Sequence, residues 1–570
     1  MKDRSRLGIL KTDARMKKTV QIGLFKTRET IKVCPECGTQ YRSRELAGIV
    51  PPSCNFGYDV LVYVGKALFL EHLADQTIIE RLAEKNVEIS PSEVGYLGNK
   101  FIIYLAVSHR QSAARIKGHM TSKGGYILHL DATYEDKSPL LMTGLDSIMK
   151  IVLGNCKLGS EKSDDIVPFL EDIKDLFGEP LAMVHDMSKG IIKAVGIVFP
   201  DSLDFICQFH FLRDIGKDLL EAEYDNIRKR LSKHGITAKL NYRLRKLKQK
   251  IDEDIGLIEM INMDESICSD DLLRKMPVIG AYSLLIWAFE GKKHGNGYGF
   301  PFDRPHLEFA KRLRQIHTDL DELRKIRLAK DYRCNRPLHK TFFDLSAVMN
   351  DKPLWKSVDS IGTEIEIFDK LRDAMRIAPK TNNKGLNSEG SSVPIGNIKQ
   401  KVDDFRREIL SAKEYSQNEL HQKMIAQISK YRDKLFAEPI RVETADGVKY
   451  IQPQRTNNYS ERDFRDLKRG YRKKTGNGSL GKKLCTMLAD TPLVKNLKNP
   501  EYMSILLDGK SSLEELFADI DAREVRRLLK RSQGNPEKVP AKLRKLTREP
   551  DFPKKLKDYY LDLKSNGILC

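Results

Sequence analysis

Two aspartates carry the first hint of chemistry. Asp131 sits at the end of the apolar run YILHLDAT (126–133), and Asp186 closes LAMVHD (181–186). Short apolar runs of this kind predict buried strands. A carboxylate at the end of a buried strand costs desolvation unless it finds a partner. In α/β sheets, strand ends are also where ligands gather. If the two strands are neighbours, both carboxylates face one point. Such hard oxygen donors suit Mg²⁺ or Mn²⁺. A third acid would complete a site for two ions about 3.5–4 Å apart, able to clamp the attacking and leaving oxygens of a phosphodiester. Aspartate is equally at home in turns, so the strands alone leave a structural role open.

Cysteine supplies two further motifs. DFICQFHFLRDI (204–215) holds Cys207 and His210. Two ligands do not make a structural zinc site, which needs four, and no second pair is nearby. A nucleophilic Cys–His pair would need an oxyanion loop, which is missing. The reading is a packed strand end, with His210 hydrogen-bonded near a site. Nearer the N-terminus, CPEC (34–37) puts Cys34 and Cys37 on a knuckle that aims two thiolates at one point. Cys54 is the candidate third ligand for a structural Zn²⁺, and His72 the nearest later candidate. The alternative is a set of ordinary thiols. The nine cysteines are odd in number and irregularly spaced, which argues against a disulfide framework and for a reducing compartment.

The elements that must position these residues follow from periodicity. Residues 1–66 read as a small, irregular, zinc-knuckle-like region. Within 67–120, a helical face built on Ile78, Ile79 and Leu82 is followed by a short turn. Ser90 and Glu93 then open a second helix with a capping box. This is a helix-turn-helix pattern, whose second helix would enter a major groove; an ordinary helical hairpin gives the same pattern. Strands are expected over 126–133, 139–145, 148–156, 181–186 and 203–210, with helices over 163–178 and 188–199. That order indicates an α/β sheet. Residues 216–440 are mostly long charged amphipathic helices, broken by the flexible loop KTNNKGLNSEGSSVPIGN (380–397). TNNYSERDFRDLKRGYRKKTGNGSL (456–480) is a basic helix running into glycines, and 521–564 is a second basic helical stretch.

The chain has 570 residues and a formal net charge of +20. Its length implies two to four domains. Its charge points to a polyanion, with nucleic acid the leading partner; a solvated lysine-rich surface is the plainer reading. No apolar stretch of about 18 residues marks a membrane span, and the N-terminus lacks the apolar core of a signal peptide.

Asp131, Asp186, Cys207-x-x-His210 and Glu461 in TNNYSERDFRDLKRGYRKKTG, in that order, resemble the RNase H-like DDE transposases. The closest resemblance is to the Mutator-like group and its bacterial and archaeal insertion-sequence relatives. The motif positions span 121–225 and 446–484. The resemblance implies a multidomain α/β protein. An RNase H-like core (121–222) is interrupted by a mostly α-helical insertion (223–445) and completed by a last helix with the third acid (446–490). Zinc-knuckle-like and helix-turn-helix segments precede the core, and a basic helical tail (491–570) follows.

The resemblance also implies roles. Asp131 would bridge two Mg²⁺ or Mn²⁺ ions, Asp186 would hold one and Glu461 the other. Arg465, Lys468, Arg469, Arg472, Lys473 and Lys474 would meet DNA phosphates. Glu461, Arg465 and Lys468 share one helix face. Trp287, in an apolar run, is a candidate DNA-facing aromatic in the insertion, against the plainer reading of a core tryptophan. The implied activity is cleavage at the ends of a mobile element and strand transfer into target double-stranded DNA. A homodimer or larger assembly would carry it out, in the nucleoid-associated cytoplasm or, in a eukaryote, the nucleus. The rival expectations are an inactive, domesticated DNA-binding derivative, a structure-selective nuclease on the same fold, and an RNA-binding module.

Overall fold

The computed structural model describes residues 7–253, 270–325, 336–379, 394–444, 446–533 and 547–565. At the N-terminus, β1 (Gly8–Thr19) and β2 (Gly23–Val33) form a long antiparallel hairpin, with β3 (Gln40–Tyr41) on the edge of β2. This corrects the expectation of an irregular region. The strands escape notice because they carry charges on both faces. Only a few positions, Lys17, Thr19 and Ile31 among them, are buried.

Five helices follow: α1 (Arg44–Ile49), α2 (Tyr58–Phe69), α3 (Asp75–Ala83), α4 (Pro91–Gln111) and α5 (Ala113–Ser122). The capping box at α4 forms as expected: Ser90 Oγ accepts the Glu93 N–H while the Glu93 carboxylate accepts the Ser90 N–H. The helix itself is not a free reading head. Val94, Leu97, Phe101, Tyr104 and Leu105 bury it in the core against α2. Gly65 of α2 has no room for a Cβ beneath the Phe101 ring. In its first two turns only Pro91, Ser92, Gly95 and Tyr96 are exposed, and none is a cation. Beyond its first two turns the expected groove-entering helix is a core helix, buried nearly all round.

The central sheet has five strands in the order β6-β5-β4-β7-β8: β4 (Ile127–Thr133), β5 (Leu140–Asp146), β6 (Ile151–Leu158), β7 (Ala182–His185) and β8 (Leu203–Ile206). The first three strands are antiparallel, and β4, β7 and β8 run parallel. Helices α6 (Ser163–Phe177) and α7 (Lys189–Val198) make the crossovers. Two boundaries differ from expectation. The third strand starts at Ile151 because the Asp146 carboxylate first accepts the N–H groups of Ile148 and Met149 and turns the chain. The fifth strand stops at Ile206, and α8 (Gln208–Lys233) begins immediately after Cys207.

The stretch after the sheet is helical: α8, α9 (Ile236–Asp252), α10 (Asp270–Gly291), α11 (Pro305–Lys325), α12 (Arg336–Met349), α13 (Lys352–Met375), α14 (Ile395–Ser411) and α15 (Glu419–Leu435). Its apolar faces merge with Ile127, Ala182, Val184 and Ile206 of the sheet into one core. Residues 380–393 of the expected flexible loop lie outside the described residues. The hairpin β9 (Ile440–Thr444) and β10 (Gly447–Ile451) leads into α16 (Asn458–Thr475), which packs on β4.

The C-terminal region corrects the picture of a basic tail. Leu493, Val494, Tyr502, Leu506, Phe517 and Val525 belong to the same core as α2 and α4. Its basic residues hid an apolar stripe that closes the N-terminal half of the molecule. Among the described residues no helix is long and apolar enough to cross a membrane.

Candidate active site

Strand pleating puts Ile127, His129 and Asp131 on one face of β4, with Leu128 and Leu130 on the other. The parallel register pairs Ile127 with Ala182 and His129 with Val184. Two residues further on, Asp131 and Asp186 therefore come level. Asp131 is buried; its Oδ1 accepts the Ala132 N–H at 2.9 Å, and its Oδ2 has no hydrogen-bond partner. Asp186 Oδ1 accepts the Ser188 N–H at 2.9 Å, which turns the chain toward α7.

Glu461 arrives from far along the chain, in the first turn of α16. The start of that helix is pinned by Asn457, itself fully buried. Its Nδ2 donates to the Leu130 carbonyl at 2.8 Å, and its Oδ1 lies 3.0 Å from His129 Nδ1. Since Nδ2 is the donor to Leu130, Oδ1 must accept, and His129 carries its proton on Nδ1. Burial pushes His129 down to about 4, so this imidazole is neutral. The Asn457 N–H donates to Cys207 Sγ at 3.3 Å.

Arg455 completes the anchor. Its Nη1 donates to Gln208 Oε1 at 3.0 Å and to the Met375 carbonyl at 2.7 Å, while its own carbonyl accepts the Gln208 N–H at 2.8 Å.

The Cys207–His210 pair now has a place. Cys207 is the residue before α8, fully buried, with its N–H donated to the His185 carbonyl at 2.7 Å. Burial, then the nearby Glu461 charge, hold its thiol far above the ordinary range. Its sulfur is instead engaged as the acceptor of the Asn457 N–H. His210 lies in the first turn of α8, not on a strand end as expected. Its Nε2 is 3.6 Å from Glu461 Oε1, and its Nδ1 is buried without a partner. Burial lowers its basicity, the Asp186 charge opposes this, and Arg213 and Lys217 add to it.

Asp131 lies within the fields of the other two carboxylates. Burial raises Asp131 well above the carboxylate range, and the charges of Glu461 and Asp186 raise it further. Burial brings Glu461 up to about 7, against the pull of Arg213 and Arg465. Asp214, one turn beyond His210, is also raised, first by burial, with Asp186 among the contributing charges. Like charges gathered in a desolvated place call for a cation. The unpartnered Asp131 oxygen and the all-oxygen donor set fit a hard divalent ion. Among the described residues, no group of three or more His, Cys, Asp and Glu side chains stands in an arrangement that could hold a metal as it is. The acids meet through their fields without closing on one point.

The basic face of α16 divides in two. Arg465, Arg469, Arg472 and Lys473 are exposed. Lys468 is paired with Glu135 at 2.9 Å and Lys474 with Asp75 at 2.7 Å. Arg465 acts on Glu461, as the shared face implies.

The N-terminal cysteines behave differently. The backbone of Cys34 closes a tight turn with Thr39 and Gly38. Cys37 Sγ lies 3.1 Å from Thr39 Oγ1, and Cys54 Sγ accepts from Lys100 Nζ at 2.9 Å. Trp287 is not a core residue: it is 42% exposed, with the Arg312 guanidinium 4.7 Å above its ring.

Sequence reasoning missed Asn457, Arg455, His129 and Arg213. Only His129 left a signal, as a polar residue two positions before Asp131 on the same strand face. No protein-family model matches the chain, and no curated protein matches it in sequence.

Proposed function

We propose that the chain is a divalent-metal-dependent transposase that cuts and joins DNA strands through Asp131, Asp186 and Glu461. One observation carries this reading: a buried carboxylate with an unpartnered oxygen, Asp131, is crowded by two further carboxylates, one delivered from a distant helix. The strand order β6-β5-β4-β7-β8, with only the first three strands antiparallel, supports it. In that order the first strand is central, as an RNase H-like core requires, and the last helix lies against it. A divalent ion held here would lower the pKa of a bound water and neutralise charge on a phosphodiester oxygen.

The chain's own residues do the rest. Asn457 and Cys207 fix the start of α16, so Glu461 is held opposite Asp131. His210 and Arg213 flank Glu461 on the α8 side. Arg465, Arg469, Arg472 and Lys473 offer an exposed cationic track for the phosphate backbone, which contributes affinity without reading sequence. The expected zinc at the N-terminal cysteines, and assembly on two DNA ends, remain parts of the proposal.

The purified protein, given Mn²⁺ or Mg²⁺ and DNA carrying the ends that flank its reading frame, should join those ends to a target duplex. Cleavage with no joined product at any end sequence would replace this reading with a structure-selective nuclease. The burial of α4, which leaves no cation on its exposed first turns, is the observation that favours that second reading.

A further inference from the structure

The side of α16 turned away from Glu461 covers a cavity of about 790 Å³. Its walls come from the end of α2, from the sheet and from α16. Leu68, Phe69, Val152, Phe464, Leu467 and Tyr471 give it an apolar, partly aromatic lining. Thr143, another lining residue, is the register partner of Asp131 across β4 and β5, so the cavity starts one strand away from the carboxylates. Volumes of this order hold small organic ligands.

The charge of the lining is one-sided: seven Lys and Arg against three Asp. Two lysines already account for the acids. Lys474 pairs with Asp75, and Lys495 takes both Asp463 and Asp466. Lys150, Arg469, Lys473, Lys483 and Lys498 make no ion pair among the described residues. Two of them stand over aromatic rings instead: Lys150 is 5.6 Å from the centre of Tyr459 and Lys483 is 5.9 Å from that of Phe69. The field reaches inward as well, since His72 on the cavity wall is held below its ordinary value by burial and then by Lys498, Lys473 and Lys495.

An apolar, aromatic pocket ringed by unneutralised cations suits a ligand with a flat ring at one end and phosphate at the other. We propose that this cavity binds a nucleotide, with its base against the Phe69–Phe464 wall and its phosphates on Lys483, Lys498 and Lys473. The ligand is either a free nucleotide or the terminal nucleotide of a DNA strand. The inference does not depend on the reading of the carboxylates.

Fluorescence polarisation on the full chain tests it in EDTA, where no metal chemistry runs. The probes are mant-ATP and a labelled, 5′-phosphorylated single-stranded DNA tetranucleotide. Saturable binding of mant-ATP alone assigns a free nucleotide; binding of the tetranucleotide alone assigns a strand end. In either case Leu467→Trp, which narrows the cavity at its apolar wall, and Lys498→Glu, an exposed change that leaves the core untouched, should each weaken binding about tenfold or more. No saturable binding of either probe, or binding that Lys498→Glu leaves unchanged, overturns the proposal. Because no divalent ion is present, failure here is separate from failure of metal-dependent cleavage.

Discussion

The Cys207 sulfur accepts the backbone N–H of Asn457 at 3.3 Å, joining residues 250 positions apart. One end of this contact starts α8 and carries His210. The other starts α16 and carries Glu461. The Asn457 side chain continues the link to His129 and Leu130, the two residues before Asp131. A neutral thiol and a neutral amide thus hold the frame on which the charged groups stand. The Cys-x-x-His spacing has a structural part to play here: the cysteine anchors one acid-bearing helix, and the histidine flanks the acid.

Removing the sulfur acceptor should loosen that frame. Cys207→Val leaves the Asn457 N–H buried and unsatisfied, at a cost of roughly 1–3 kcal/mol. Cys207→Ser keeps an acceptor and should lose less. Asn457→Ala forfeits two side-chain hydrogen bonds and should cost about 2 kcal/mol. Denaturant midpoints measure these losses. Cleavage by the folded Asn457→Ala protein should fall more steeply than its stability, because Glu461 is no longer fixed. Full activity in Asn457→Ala would refute the positioning role.

Asp131→Asn, Asp186→Asn and Glu461→Gln should each abolish metal-dependent cleavage while DNA binding, measured by gel shift, stays within a few-fold. At a pH where Asp131 is ionised, Asp131→Asn should also raise the melting temperature of the metal-free protein, since it removes a buried charge crowded by two others. A variant of any of the three that cuts at the normal rate is not a ligand.

The acids predict a pH dependence with a definite sign. Glu461 binds its proton more tightly in the folded protein, at about 7 against an ordinary value of 4.5, and Asp131 is raised in the same direction. The folded state therefore holds more protons than the unfolded chain between about pH 4.5 and 7, and stability falls as pH rises through that window. Thermal melts in EDTA should show this fall, and Glu461→Gln should reduce it. Added Mn²⁺ should restore stability at the upper end by neutralising the carboxylates. A flat profile in EDTA would contradict the burial of these acids.

The two halves of the α16 basic face should separate in a salt titration. Arg465→Ala, Arg469→Ala and Arg472→Ala each remove an exposed cation and should each lower the slope of log K against log salt by about 1. Lys468 and Lys474 are engaged with Glu135 and Asp75, so their alanine variants should change the slope less. Equal effects at all five positions would mean that DNA pulls those lysines away from their acids.

Local features of the chain are legible in the order of its residues. Apolar runs ending in aspartate mark β4 and β7 because a buried strand tolerates a carboxylate only at an edge of the core. Ser90 and Glu93 spell out a capping box because the contact is made within four residues. The long amphipathic repeats between 216 and 440 are helical because their period is local. Errors arise where local pattern is ambiguous. The charged hairpin of β1 and β2 has little apolar alternation to detect. The apolar residues of 491–533 are diluted by lysine and arginine, and α4 looks like a surface helix until its partners are counted.

From the amino acids alone one can name the strands, the acids and the basic helix that must meet, since periodicity and charge act over a few residues. Whether they do meet is left to the fold. Asp131 and Asp186 come level through a parallel register between strands separated by a helix. Glu461 joins them through Asn457, whose bonds to Leu130, His129 and Cys207 span the chain. The cavity behind α16 likewise exists only once the two terminal regions close on the sheet. Such contacts depend on burial and geometry between distant segments, and no spacing along the chain encodes them.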